Sequence, residues 1–438
     1  MSRSLWAVLL GTFTLRFSTG LTGLTLTYYL ESLGDHPRLL DQLLHFGRGA
    51  HVGDVTFGVI AALFYVSELA LSPLFGIVSD RLGHYRVMQF GPIFGLVAVV
   101  LTWATTSLPV IGFTRLLEGS ATASSVPSIL GFIAVATASS EALRGRASAR
   151  FEAATLAGLL AGFVAAGFLW HLIGPETFLV NAGIYLVSLA IYRFGVDPAA
   201  DAPRHERAAA EPKLDLGRYT RILRGSHVWL LAPTWIAINA VLGLYTTQTI
   251  FQLTKQPDPR FPDQLLMGGF QSMEISLGLI AGGLLFFAGL IYWGNRFKNL
   301  RRTTIILYGV GGGLLIVAGA AALNHSGGLP EIARLAFALP LIAGVFVLAG
   351  ATPAAIGLLA DVTEAYPEDR GAIMGLYSVF LGIGQIIGSL IGGLSANALG
   401  FDGILASSLV LLGLAVVPLV QLRRFEHVLG PGNMSSFG

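Results

Sequence analysis

Twelve stretches of this chain are each long and apolar enough to cross a lipid bilayer, which narrows the fold before any motif is considered. They fall at roughly 5–30, 55–79, 87–107, 109–138, 150–171, 177–194, 228–254, 267–293, 303–323, 332–360, 371–398 and 402–422. A helix needs about 20 mostly apolar residues to cross the hydrocarbon core. The sparse charge agrees: 12% of residues are Asp, Glu, Lys or Arg, against about 25% in a soluble domain. That balance excludes a soluble enzyme, a secreted disulfide scaffold and a nucleic-acid binder. Cysteine is absent, so no disulfide, thiolate metal site or thiol nucleophile is available. The 55 glycines suit close packing of membrane helices. The first apolar run is too long for a signal-peptide core and reads as a retained first span.

Loop charges predict the orientation. Twenty of the 27 Lys and Arg fall in the segments that would be cytoplasmic with the N-terminus inside. Five fall outside and two, Arg16 and Arg115, lie within spans. Such a bias predicts a multi-pass protein of the cell membrane with both termini cytoplasmic. The only long polar segment follows span six and is rich in Pro, Ala and charge, reading as a linker or solvated tether. The expected organisation is a six-helix bundle over 1–195, a cytoplasmic linker over 196–226, a second six-helix bundle over 227–424 and a tail over 425–438.

The halves echo each other. Pro127 precedes Arg144-Gly145 by the same spacing at which Pro353 precedes Arg370-Gly371, an offset of 226 between halves. That offset also carries Gly158 onto Gly384, Gly162 onto Gly388 and Gly167 onto Gly393. Arg81 and Arg86 recur as Arg296 and Arg301. Parallel six-span repeats joined by a cytoplasmic linker predict a transporter whose halves rock about a midplane site.

Between spans two and three, Gly76-Ile-Val-Ser-Asp80-Arg81-Leu-Gly-His84-Tyr-Arg86 resembles the G-x-x-x-D-R-x-G-R-x-R signature of the major facilitator superfamily. His84 departs from it, standing where a basic residue is usual. The resemblance implies an all-α membrane protein of twelve transmembrane helices in two pseudo-symmetric six-helix bundles, the major facilitator fold. It also implies a conformational latch of Gly76, Asp80, Arg81, Arg86, Arg144 and Arg370, with Asp80 and Arg81 pairing across the halves. The alternative is a plain stop-transfer charge cluster. Arg115-Leu-Leu-Glu118-Gly119 resembles the family's R-x-x-Q/E-G pattern, whose Arg is associated with proton coupling; a structural Arg is the other reading. Gly158, Gly162 and Gly167 stand where antiporters carry a Gly-Pro motif, here without its Pro.

Ionisable groups inside a membrane mark function by default. Arg16 lies about 22 Å from the outer end of span one, and Glu68 about 20 Å from Arg81, so both are near mid-depth. Arg16, Glu68, Arg115 and Glu118 are therefore the proton-coupling candidates: moving the Arg away lets the Glu take a proton. An Arg in span one with a carboxylate in span two resembles some drug- and lipid-exporting members. A static ion pair fixing helix register is the alternative. Glu152 either faces the cavity or pairs with the Arg144–Arg150 cluster. The other cavity candidates are Tyr28, Tyr65, Asn239, Tyr245, Gln248, Gln271, Tyr377 and Gln385, with Trp235 as possible aromatic lining. A cavity charged on one side and amide or apolar on the other suits an amphipathic substrate.

The function expected is proton-coupled export of amphipathic or lipid-like small molecules by a functional monomer. Import of a polar solute such as a sugar or organic anion is the alternative. No catalytic residue, metal or cofactor is expected; the proton is the coupling ion. The partners are a small-molecule substrate and the bilayer, with no nucleic acid.

Overall fold

A computed structural model describes residues 2–33, 40–41, 52–138, 140–201, 228–296, 300–365 and 370–425, side chains at 141–142, 144–145, 228–230, 359–365, 370–377 and 425 excepted. Most of the expected linker and nearly all of the tail lie outside them.

Among the described residues, twelve long helices match the twelve apolar segments. They are α1 (Arg3–Glu31), α2 (Asp54–Leu82), α3 (Phe90–Ala104), α4 (Leu108–Ala136), α5 (Glu141–Ile173) and α6 (Thr177–Gly195). Then come α7 (Val228–Leu244), α8 (Ser272–Asn295), α9 (Arg302–Asn324), α10 (Ala338–Leu348), α11 (Arg370–Leu399) and α12 (Phe401–Phe425). Helix α7 continues through a π-helical turn, Tyr245–Thr249, into Ile250–Thr254, and α10 continues as Ala351–Ala365. No strand occurs among the described residues. In lipid, each backbone N–H and C=O must be paired within the protein, and a helix does this inside one segment. Among the described residues nine stretches are long and apolar enough to span, one of which, Arg146–Gly195, takes in most of α5 and all of α6.

Starts and stops follow local chemistry. Ser2 and Ser140 cap α1 and α5 by accepting the Leu5 and Leu143 amides at 3.3 Å. Gly83, at φ 93°, ends α2 in a conformation that favours glycine.

The chain divides into two compact units. Unit 1 comprises Met1–Gly53, Ile60–Lys213 and Phe270–Ile280; unit 2 comprises Asp54–Val59, Leu214–Gly269 and Ala281–Gly438. In unit 1, α1 packs on α5 and α6, and α3 on α4 and α6. In unit 2, α7 packs on α11 and α12, and α9 on α10 and α12. The pairings correspond one for one.

The repeated glycines set this packing. A Cβ on Gly162 would lie 2.1 Å from the Phe17 carbonyl oxygen and 2.7 Å from the Leu21 nitrogen. A Cβ on Gly388 would lie 2.1 Å from the Ala240 carbonyl oxygen and 2.8 Å from the Leu244 nitrogen. The same correspondence sets Gly158 against Arg16 and Gly384 against Asn239. Arg16 and Asn239 are thus counterparts, a relation the sequence offsets did not reach. Gly76 differs: a Cβ there would meet Pro127 at an ordinary 3.9 Å.

Candidate functional site

The interior of unit 1 gathers most of the ionisable groups that the sequence singled out. Arg16 on α1 donates to the Thr122 hydroxyl of α4 at 3.5 Å. It acts electrostatically on Glu68 of α2 and on Glu152 of α5. Glu68 in turn acts on Tyr65, as does Arg115. Arg115 pairs directly with Glu118 one turn along α4, and both are buried, at 8% and 3% exposure. The Arg115 guanidinium also lies 4.9 Å from the centre of the Phe64 ring.

Close approach of α2 to α4 builds this arrangement. A Cβ on Gly119 would lie 2.2 Å from the Phe64 carbonyl oxygen. Ser67 fastens the contact by donating to the Leu116 carbonyl at 2.7 Å and meeting Ser120 at 3.1 Å. Five ionisable side chains result, two cationic and three acidic. In a low-dielectric interior an unmatched carboxylate is costly when charged.

Glu152 is accessible and lies in the field of Arg16. The sequence left its partner open between the cavity and the Arg144–Arg150 cluster. Its helix is held on α1 by Gly158, where a Cβ would sit 2.9 Å from Arg16 Cβ.

The loop signature is organised from within unit 1. His84 Nδ1 lies 3.0 Å from the Asp201 carboxylate, and Nε2 lies 3.4 Å from Asp80. Asp201 also accepts the Tyr85 amide at 2.8 Å. The imidazole occupies space left by Gly131, where a Cβ would fall 2.1 Å from the ring. The departing residue of the signature thus joins the α2–α3 loop to the segment after α6. Arg81 and Arg86 are exposed. The side chains of Arg144 and Arg370 lie outside the described residues, as does that of Tyr377.

Several cavity candidates are buried and hydrogen-bonded. Gln248 is fully buried and donates to the Asp54 carbonyl at 3.1 Å. Asn239 is 2% exposed and donates to the Trp235 carbonyl at 2.8 Å. Trp235 itself is in the unit 2 core. Tyr28 is buried, donating to the Ser272 carbonyl at 3.5 Å and meeting the Trp170 ring in a tilted contact. Gln248 and Tyr28 thereby bond to other helices, as polar groups in spans commonly do, whereas Asn239 bonds one turn back along its own helix. Tyr245 lies in the π turn, half-buried, and Gln385 is 9% exposed beside Gly243. Gln271 is exposed and its amide donates to Glu274 at 2.8 Å, closing the start of α8.

Sequence reasoning missed one cluster. Asp54, in the first turn of α2, accepts from Gln252 at 2.7 Å and from Lys255 at 3.0 Å. An acid in a first helical turn reads as an ordinary terminus residue. Lys255 read only as an outer-loop charge. No local pattern joins positions so far apart in the chain.

Two pseudo-symmetric six-helix arrangements with ionisable groups buried in the first define a membrane transporter. The sequence model of the Major Facilitator Superfamily matches residues 8–330, and the chain belongs to that family. It is 21% identical over 345 residues to Multidrug resistance protein 2 of Bacillus subtilis (strain 168), covering 78% of this chain and 80% of that protein. The crystal structure of nucleoside transporter NupG superposes with a TM-score of 0.66 at 14% identity, over 97% of this chain and 99% of that one. The crystal structure of a point mutant of the same transporter gives 0.63 at 15% identity, over 96% and 99%. These likenesses support the major facilitator fold.

Proposed function

We propose that this transporter works by alternating access and exports amphipathic or lipid-like small molecules in exchange for protons across the cell membrane. One observation carries the proposal: Arg16 of α1 acts electrostatically on two carboxylates, Glu68 of α2 and the accessible Glu152 of α5. Glu68 is the proton acceptor in this reading. When Arg16 is drawn toward Glu152, Glu68 loses its counter-charge and takes a proton. When Arg16 returns, the proton leaves. Coupling follows if substrate and proton compete for this one set of charges. The resemblance to a protein named for multidrug resistance supports the export direction and the amphipathic substrate class.

The test uses purified protein in liposomes with an imposed pH gradient and a pH-sensitive dye inside. Candidate substrates are first screened by thermal stabilisation, since a ligand that binds only the folded state raises the melting temperature. Substrate-dependent proton flux is expected from the parent protein and is expected to be lost in Glu68→Gln. Flux that persists unchanged in Glu68→Gln removes Glu68 from the mechanism. Transport without any pH response replaces proton exchange with facilitated diffusion or another ion.

A further inference from the structure

The start of α2 belongs to unit 2, while the helix from Ile60 onward belongs to unit 1. Within unit 2 that start is held by a buried polar cluster. Asp54 is 4% exposed, Lys255 9%, and Gln248 and Gln252 are fully buried. The Asp54 carboxylate takes both Lys255 and Gln252, and its carbonyl takes Gln248. The Phe57 and Phe251 rings stack beneath at 4.2 Å, with planes 3° apart. Backbones meet closely as well: a Cβ on Gly58 would lie 2.5 Å from the Ser389 carbonyl oxygen, and one on Gly393 2.7 Å from that of Asp54. The π-helical turn at Tyr245–Thr249 precedes Gln252 and shifts its register, a distortion common at functional positions. Lys255 is fixed in turn, since its carbonyl accepts the Gly269 amide at 3.0 Å beside the left-handed Gly268.

The internal repeat supplies a comparison. Gly167 is the counterpart of Gly393, and it faces the start of α8, which belongs to unit 1. There the fastening is neutral: Ser276 donates to the Val164 carbonyl at 2.9 Å, and Tyr28 to that of Ser272. Among the described residues, the ion pair occurs at only one of these two related positions. A purely packing role would be met by hydroxyls, as at α8. A buried ion pair holds firmly while dry and weakens once its charges are hydrated, so it favours two discrete states.

We infer that Asp54 and Lys255, braced by Gln248 and Gln252, form a second latch that must open for α2 to leave α7 and α11 in each transport cycle. This rests on the alternating-access reading but not on proton coupling. The chain has no cysteine, so a single engineered thiol reports without background. Ser389 is fully buried beneath the latch, and Ser389→Cys is nearly isosteric. Labelling of that thiol by a membrane-impermeant maleimide, without substrate or pH gradient, measures opening. Added to Ser389→Cys, Asp54→Asn or Lys255→Gln is expected to raise the labelling rate by about tenfold or more, because each leaves a buried charge unpaired. The exchanged pair, Asp54→Lys with Lys255→Asp, is expected to bring the rate back toward the parent value. A control thiol at Ser408→Cys, fully buried in unit 2, is expected to stay unlabelled in every variant. Unchanged rates in the single variants, no recovery in the exchanged pair, or a parallel rise at the control thiol would each overturn the inference. Loss of proton flux in liposomes leaves this readout untouched, so the two proposals fail separately.

Discussion

Arg115 and Glu118 are both buried and directly paired, so either alone would be an uncompensated charge in a medium of low dielectric. Arg115→Ala is expected to lower stability by about 3 kcal/mol, the scale for breaking a buried pair. The double variant Arg115→Leu with Glu118→Leu is expected to recover much of that loss, because no lone charge remains. Denaturant unfolding in detergent checks both; an equal loss in the double variant would place the cost in packing. The Arg115–Glu118 pair was legible from spacing alone, since residues three apart on a helix share a face. The link of Arg16 to Glu152 was not, because it depends on how α5 lies along α1.

Among the helices, the glycines separate into those that close approach requires and those it does not. Gly162 faces backbone at 2.1 Å and Gly76 faces a side chain at 3.9 Å. Gly162→Ala is expected to cost about 1–3 kcal/mol, the range for overpacking a tight contact, whereas Gly76→Ala is expected to be near neutral. The repeat predicts that Gly388→Ala behaves as Gly162→Ala does. Thermal unfolding of the three variants decides this. In the segment between α7 and α8, Arg260 hydrogen-bonds to Asp258 and holds its carboxyl below the ordinary carboxylate range. A depressed value means the contact stabilises the loop above the ordinary pKa and is lost as pH falls through the lower folded one. Asp258→Asn is expected to mimic that loss at neutral pH, seen as reduced amide protection at Arg260, whose N–H donates to Asp258.

For the whole molecule, span count and pseudo-symmetry were legible because each rests on a period or an offset that survives in one chain. The positions of Gly158, Gly162 and Gly384 already marked equivalent helices, and the structure extends the relation to Arg16 and Asn239. The cavity amides were less legible. Gln248 and Asn239 look polar in sequence wherever they point, and only the folded helices direct Gln248 to the Asp54 backbone and Asn239 to the Trp235 carbonyl one turn back along α7. Asp54 and Lys255 were invisible as a pair for the same reason.

The claim at the centre of this account is that Glu68, in the field of Arg16, exchanges its proton for substrate. The most direct measurement is proton release on adding a stabilising compound to detergent-solubilised protein in weak buffer. Release of about one proton per chain is expected from the parent, since Glu68 is the one proton acceptor in this reading, and none from Glu68→Gln. No release from the parent despite binding, or equal release from Glu68→Gln, would contradict it.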